Sequence, residues 1–204
     1  MKLRNKNILV TGAEGFIGSH LVERLVSEGA NVNALVNYNF NNSIGNLKYL
    51  ENKNLNKIDI FFGDLRDLHS IEKAFNNIDI VFNLAALIGI PYSYLAARSY
   101  FEVNTLGLMN ILEISKKLSL EKIIHTSTSE VYGTAQYTPM DEKHPINSQS
   151  PYAASKSAAD QLALSYYTSF NTPVVIIRPF NTYGPRQSER AFIPTVIYQM
   201  LKLS

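Results

Sequence analysis

The run Val10-Thr11-Gly12-Ala13-Glu14-Gly15-Phe16-Ile17-Gly18 constrains this chain more than any other stretch. It closes a short β-branched run at residues 7–11 and opens a helical pattern at 16–27. The glycines stand at G-x-x-G-x-x-G spacing, and each removes a side chain where one is hard to place. Gly12 permits the tight turn out of the strand, Gly15 lets the backbone approach a pyrophosphate, and Gly18 lets the helix lie close to the strand. The helix that begins with Phe16 and Ile17 aims its first amides at the phosphates. Three glycines can also serve a purely structural turn. The strand before them, the helix after them and the βαβ setting favour the phosphate-binding reading.

The rest of the chain repeats this alternation. Apolar runs at 7–11, 31–36, 57–62, 78–84, 122–126 and 173–178 predict strands. Patterns at 16–27, 68–76, 99–118 and 152–170 predict helices, with a further one at 192–201. Strands alternating with helices imply right-handed crossovers. The expected fold is therefore α/β, a Rossmann-type doubly wound parallel sheet with helices on both faces. Val81-Phe82 and Val174-Val175-Ile176-Ile177 are apolar throughout, as expected of strands covered on both sides. The asparagine-rich stretch 37–56 reads as loop with one short helix. No internal repeat or low-complexity linker divides the chain, so residues 1–204 read as one dinucleotide-binding domain.

Composition removes several classes of function. The net charge of +2 gives no reason to expect nucleic acid or a membrane surface as partner. With no cysteine there is neither a disulfide framework nor a thiolate metal site. His20, His69, His125 and His144 are scattered without ligand spacing, so no metal is expected, and His125 reads as a core histidine. No apolar run approaches the roughly 18 residues that span a bilayer. The basic N-terminus runs straight into the glycine turn without a secretory pattern. A soluble, cytoplasmic protein is expected.

The residues able to do chemistry lie further along. Tyr152 and Lys156, four apart on a helix, share a face. Lys156 is expected to lower the Tyr152 pKa from about 10, aided by an oxidised nicotinamide, so that a phenolate can take a proton. Tyr49/Lys53 and Tyr198/Lys202 have the same spacing. Tyr152 is selected because it starts the helix after the fifth strand, with only Ala153, Ala154 and Ser155 between it and Lys156. The fifth strand leads into Ser127-Thr128-Ser129-Glu130-Val131-Tyr132-Gly133, at the sheet edge where such folds place chemistry. Thr128 can bond a sugar hydroxyl, although Ser and Thr there also cap turns. Glu130 is expected in a cleft, partly desolvated, with a raised pKa that suits a base.

Cofactor choice stays open at this level. An acid usually follows the second strand to hold the adenosine ribose 2′-OH. Here the residues are Leu35-Val36-Asn37-Tyr38-Asn39, with neither acid nor arginine. Asn37 or Asn39 could bond either ribose, so NAD is expected with NADP also possible.

On these motifs the chain resembles the extended short-chain dehydrogenases, in the epimerase/dehydratase branch that works on nucleotide sugars. The resemblance covers nearly the whole chain. It includes Thr11-Gly12-x-x-Gly15-x-x-Gly18, Asp64-Leu65-x-Asp67, Asn83-Leu84-Ala85-Ala86, Asn104-x-x-Gly107 and Thr128-Ser129-Glu130-Val131-Tyr132-Gly133. Tyr152-x-x-x-Lys156 and Arg178-Pro179-x-Asn181-x-Tyr183-Gly184-Pro185-Arg186 complete it. The resemblance implies that Asp64 and Leu65 hold adenine, although Asp64 or Asp67 also reads as a helix N-cap. It implies that Leu84, Ala85, Ala86 and Pro179 lie on the cofactor, that Asn181 meets the sugar-nucleotide diphosphate, and that Asn104 is a structural residue at a helix bulge. It also implies a homodimer through the helices at 99–118 and 152–170.

A 4-epimerase needs only hydride transfer out and back at C4. A 4,6-dehydratase must also remove the C5 proton and expel the C6 hydroxyl, which requires a base and an acid. Thr128-Ser129-Glu130 matches the GDP-mannose 4,6-dehydratases, and UDP-glucuronate decarboxylases share it. The stretch 127–193 most resembles 4,6-dehydratases acting on nucleotide-activated N-acetylglucosamine, which start legionaminic acid synthesis for surface glycans. In that reading Tyr152, Lys156 and Thr128 take the O4 proton and Glu130 takes the C5 proton. Glu130, or water on Ser129, then protonates the leaving hydroxyl. Family members are longer, so the C-terminal substrate-binding part is expected to be largely absent, and a dinucleotide-binding fragment without turnover is the alternative of another class.

Overall fold

The computed structural model describes residues 3–203. Six strands form one sheet: β1 (Asn7–Thr11), β2 (Asn31–Asn37), β3 (Ile58–Gly63), β4 (Ile80–Asn83), β5 (Lys122–Thr126) and β6 (Val174–Ile177). Their order is β3-β2-β1-β4-β5-β6, and every pair is parallel. This is the doubly wound arrangement expected from the alternation. The order reverses between β1 and β4, so a crevice opens at their C-terminal ends.

The helices are α1 (Phe16–Ser27), α2 (Asn52–Leu55), α3 (Leu68–Ile71), α4 (Ile90–Ser93), α5 (Ala97–Tyr100), α6 (Gly107–Ser115), α7 (Pro151–Phe170) and α8 (Phe192–Leu203). Two of them depart instructively from the expected pattern. The helix foreseen at 68–76 is one turn of α-helix, capped by Asp67 accepting from the His69 amide, which then tightens into a 3₁₀ turn, Glu72–Phe75. The helix foreseen at 99–118 starts at Ala97, swells into a π-helical stretch at Phe101–Leu106 and ends at Ser115. The asparagine-rich stretch holds two short helical turns rather than one, Gly45–Tyr49 and α2. The brief α4, with Pro91 in its first turn, had no periodic signal to reveal it.

The π-helical stretch has a specific purpose. Asn104 is buried there, and its side chain accepts from the Leu87 amide (2.9 Å) while donating to the Leu87 carbonyl (3.0 Å) and to Ser155 Oγ (2.9 Å). One amide thus joins the segment after β4 to α7, and the widened turn aims it, as the resemblance implied. Gly107, one turn on, lets Leu65 approach: a Cβ there would sit 2.9 Å from the Leu65 Cβ.

Two cores sandwich the sheet. On one face Ile8, Val10, Val32 and Val36 pack under Val22, Leu25 and Val26 of α1. On the other, Leu9, Leu35, Val81 and Ile123 meet Phe75, Leu108, Ile111, Leu112, Ala159 and Ala163. The expectation of two covered faces fails at β6. Val174 and Ile176 join the second core, but Val175 and Ile177 are 42% and 44% exposed, because no described element covers the α1 side of the sheet there.

Replacing Asn104 by Ala removes three buried hydrogen bonds, and an expected loss of about 2–3 kcal/mol follows. Urea unfolding of the two chains measures it; an unchanged midpoint would mean that the π-helical stretch anchors nothing.

Candidate active site

The glycine turn is fixed by backbone contacts that no side chain could share. Gly12 has φ +63°, and a Cβ on it would lie 2.8 Å from the Ala85 backbone. A Cβ on Gly18 would fall 2.1 Å from the Gly12 carbonyl. Gly15 differs, since a Cβ on it would meet only the Gly12 carbonyl, at 3.2 Å, and otherwise open space. Gly15 is also the N-cap of α1, and no side chain claims the first-turn amides. An anion fits such an end, because the free N–H groups and the helix dipole both favour it.

From this turn a cavity of about 780 Å³ follows the C-terminal edge of the sheet. Every predicted site residue lines it. Gly12, Gly15, Phe16, Ile17 and Gly18 form one wall, and Asp64 and Leu65 stand at the β3 end. Leu84, Ala85 and Ala86 cross the middle. Thr128, Ser129, Glu130, Tyr152 and Lys156 gather beyond β5, with Pro179 and Asn181 over them. The other two Tyr/Lys pairs lie elsewhere: Lys53 pairs with Glu51, and Lys202 stacks on the ring of Tyr198.

At the β3 end, Asp64 is held by its own neighbour. Arg66 donates to both carboxylate oxygens from Nε and to one from Nη2, at 2.5–3.0 Å, and its amide adds a bond of 2.9 Å. The guanidinium holds the Asp64 carboxyl below its usual range. Asn39 is spent inside its loop, on Ser43 and on the Asn37 carbonyl, whereas Asn37 faces the cavity.

Beyond β5, Ser150 accepts from the Ala153 amide (3.0 Å) and Pro151 follows, which fixes the first turn of α7 under Tyr152. Lys156, one turn on, is buried and donates to the Thr126 carbonyl (2.6 Å). Burial brings its pKa down to about 8 against the opposing pull of Asp160. The expected lowering of the Tyr152 pKa is not found. Burial pushes Tyr152 up, Glu130 and Tyr100 add to this, and only the Thr128 hydroxyl pulls it down. Burial is the largest cause, and the ammonium of Lys156 is bonded to the Thr126 carbonyl. Thr128 is buried and accepts from the Glu130 amide (3.2 Å), so it caps the Ser129–Tyr132 turn while its hydroxyl also bonds Tyr152. Glu130 also corrects the expectation. Val131 and Tyr132 take the inward positions of that turn, and Glu130 is exposed at the cavity wall rather than desolvated in a cleft.

The profile of the GDP-mannose 4,6 dehydratase family matches residues 9–203. The chain belongs to that family. It is 36% identical over 196 residues to dTDP-D-glucose 4,6-dehydratase of Homo sapiens, covering 94% of this chain and 55% of the human protein. Among solved structures it resembles UDP-N-acetylglucosamine 4-epimerase from Methanobrevibacter ruminantium M1, solved with UDP-N-acetylmuramic acid (TM-score 0.88, 34% identity, 98% of this chain and 64% of that one). It also resembles DesIV, the dTDP-glucose 4,6-dehydratase from Streptomyces venezuelae solved with NAD (TM-score 0.83, 30% identity, 97% and 63%). The chain thus spans little more than half the length of the relatives it matches.

In this family member a polar chain runs behind the site. Thr11 Oγ1 accepts from the Leu84 and Ala85 amides (3.2 and 3.1 Å) and donates to Asn83 Oδ1 (2.7 Å). Asn83 must then donate through Nδ2 to His125 Nδ1 (3.1 Å), which places the imidazole proton on Nε2, 3.7 Å from Asp160. Asp160 accepts from Arg178 Nε (2.9 Å), whose Nη1 donates to the Tyr132 hydroxyl (2.9 Å). Sequence reasoning missed Asp160, one turn beyond Lys156, and Arg178 as its partner; an acid at the next helical step was the available signal. No cluster of metal-binding side chains occurs among the described residues.

Burial, reinforced by the charge of Lys156, holds His125 neutral, well below its usual pKa. The unfolded chain therefore binds a proton near pH 6.5 that the folded chain refuses. Stability is expected to fall as pH drops from about 7 to about 5, with this residue contributing up to about 1.4 kcal/mol per unit. Denaturant unfolding across that range checks it: His125→Gln should flatten the slope, and an unchanged slope would refute the assignment.

Proposed function

We propose that this chain carries the NAD-binding and catalytic half of a nucleotide-sugar 4,6-dehydratase, with a nucleotide-activated N-acetylglucosamine as substrate. The observation that carries the choice is Glu130, a carboxylate on the cavity wall beside Thr128 and near enough to Tyr152 to raise its pKa. Hydride exchange at C4 alone has no use for it. Elimination across C5 and C6 does.

The residues present fit the cofactor. The uncapped start of α1 suits its pyrophosphate, Leu65 and Asp64 suit adenine, and Ala85, Ala86 and Pro179 suit the nicotinamide side. When bound, NAD would accept the C4 hydride of the sugar and return it at C6, with a proton from solvent restored to C5 as the hydride arrives. Tyr152 takes the O4 proton, with Thr128 orienting it and Lys156 supplying positive charge from below. Oxidation at C4 acidifies C5, and Glu130 then removes that proton. Glu130, or a water held by Ser129, protonates the departing C6 hydroxyl, and Asn181 faces the diphosphate. Binding of the sugar would cover Glu130 and give it the desolvation that the open cavity does not.

A second reading is a 4-epimerase, favoured by the resemblance to the M. ruminantium enzyme at 34% identity. Product mass separates the two. The chain is incubated in heavy water with GDP- and UDP-N-acetylglucosamine and NAD. A dehydratase yields loss of one water with deuterium at C5, and an epimerase yields neither. Glu130→Gln should lower dehydration by about 10²–10⁴ and abolish the C5 exchange; full activity in that variant would defeat the dehydratase reading. A homodimer through α6 and α7 is part of the proposal, because Leu106, Leu164, Tyr167 and Phe170 are exposed on or next to them. Sedimentation of the chain tests it.

A further inference from the structure

The acid that usually follows the second strand is missing, but a carboxylate from elsewhere reaches the same place. Glu14 lies inside the glycine turn. Its Oε1 accepts from the backbone amide of Asn37, the last residue of β2, at 2.9 Å. Its backbone is pinned as well, since its carbonyl accepts from the Asn46 amide (2.9 Å). The side chain therefore spans the gap between the end of β1 and the end of β2, on the edge of the cavity that Gly12 and Gly15 also line.

Its second oxygen decides the matter. Glu14 Oε2 is buried from solvent and has no hydrogen-bond partner, although the residue borders the cavity. A buried carboxylate oxygen without a donor is costly, and folded proteins rarely leave one. Asn37 faces the cavity but carries no charge, and the other groups nearby are committed. Asn39 is spent in its own loop, and Arg66, the cation at this end, is gripped by Asp64 with Glu102 at 4.0 Å.

We propose that Glu14 is the ribose-recognising acid of this chain, accepting the adenosine 2′-hydroxyl and thereby selecting NAD against NADP. The proposal rests on the dinucleotide reading of the cavity. A ribose hydroxyl donates to the orphan oxygen. A 2′-phosphate near neutral pH has almost no proton to donate and sets negative charge against Glu14, while the Arg66 guanidinium at this end is already held by Asp64.

The test is calorimetric titration of the full chain with NAD, NADP and the 2′-deoxyadenosine analogue of NAD. Turnover is not needed. The Glu14→Gln side chain keeps an oxygen for the Asn37 amide, so the loop has the same support. The wild-type chain should bind NAD about tenfold to a hundredfold more tightly than either analogue, as a hydrogen bond to a charged group warrants. In Glu14→Gln the preference over NADP should shrink at least tenfold, and the 2′-deoxy analogue should bind almost as well as NAD. A wild-type chain that binds NAD but does not discriminate against the 2′-deoxy analogue would overturn the proposal without any variant, and so would a Glu14→Gln chain with the original preferences. A wild-type chain that binds neither dinucleotide would overturn the dinucleotide reading and this one with it.

Discussion

The structure depends on the place where β1 and β4 leave the sheet in opposite directions. There the Gly12 backbone lies against that of Ala85 with no room for a Cβ, and the Thr11 hydroxyl bonds the Leu84 and Ala85 amides. The crevice exists because both chains turn aside at this point. Its floor is apolar and rigid, with Leu9, Val10, Ile80 and Val81 fully buried beneath it. A side chain at position 12 would be strained at this positive φ and would force the contact with Ala85 apart.

The same junction begins the line of polar groups through Asn83, His125, Asp160 and Arg178. Its arrangement fixes each proton in turn, so the charge of Asp160 lies behind Lys156 rather than in the cavity. α7 carries both ends of this logic. Tyr152, Lys156 and Asp160 form one stripe at four-residue steps. Ser155, a step aside, reaches Asn104 and so ties the helix to the segment after β4. Burial pushes Lys156 toward neutrality and Asp160 opposes it. The lysine of the motif is thus kept cationic by a residue outside the motif.

What was legible in the sequence was local. The glycine spacing, the alternation of strands and helices and the helix opening beside Tyr152 are short-range patterns, and the structure has each of them, together with the bulge at Asn104 that the family resemblance implied. Even the selection of Tyr152 over two other Tyr/Lys pairs rested on which strand came before. The failures are tertiary. Glu130 was expected to be desolvated, but which way a turn residue faces depends on what its neighbours bury, here Val131 and Tyr132. The Tyr152 pKa was expected to fall, but the sequence places Lys156 near the tyrosine without saying that Thr126 takes its ammonium. Glu14 stood in plain view inside the glycine turn. That its carboxylate crosses to the end of β2 follows only from two strands being neighbours.

These differences divide the site into two halves with different physical character. Tyr152, Thr128 and Lys156 are buried, hydrogen-bonded and held by helix and sheet. On the proposed function they serve a proton transfer at C4, the step common to dehydration and epimerisation. Glu130 and Asn181 lie on turns and loops at the open wall, and Glu130 is exposed. On the proposed function they face the part of the sugar where the reactions diverge. A rigid half must keep its geometry for hydride and proton to move together, so its residues are locked by neighbours that few substitutions can spare. The open half is released from that demand. The Ser129–Tyr132 turn still reaches the stripe on α7, because Glu130 helps to raise the Tyr152 pKa and Tyr132 shares Arg178 with Asp160. On the proposed function the reaction is chosen at Glu130, while the buried stripe on α7 serves the first step.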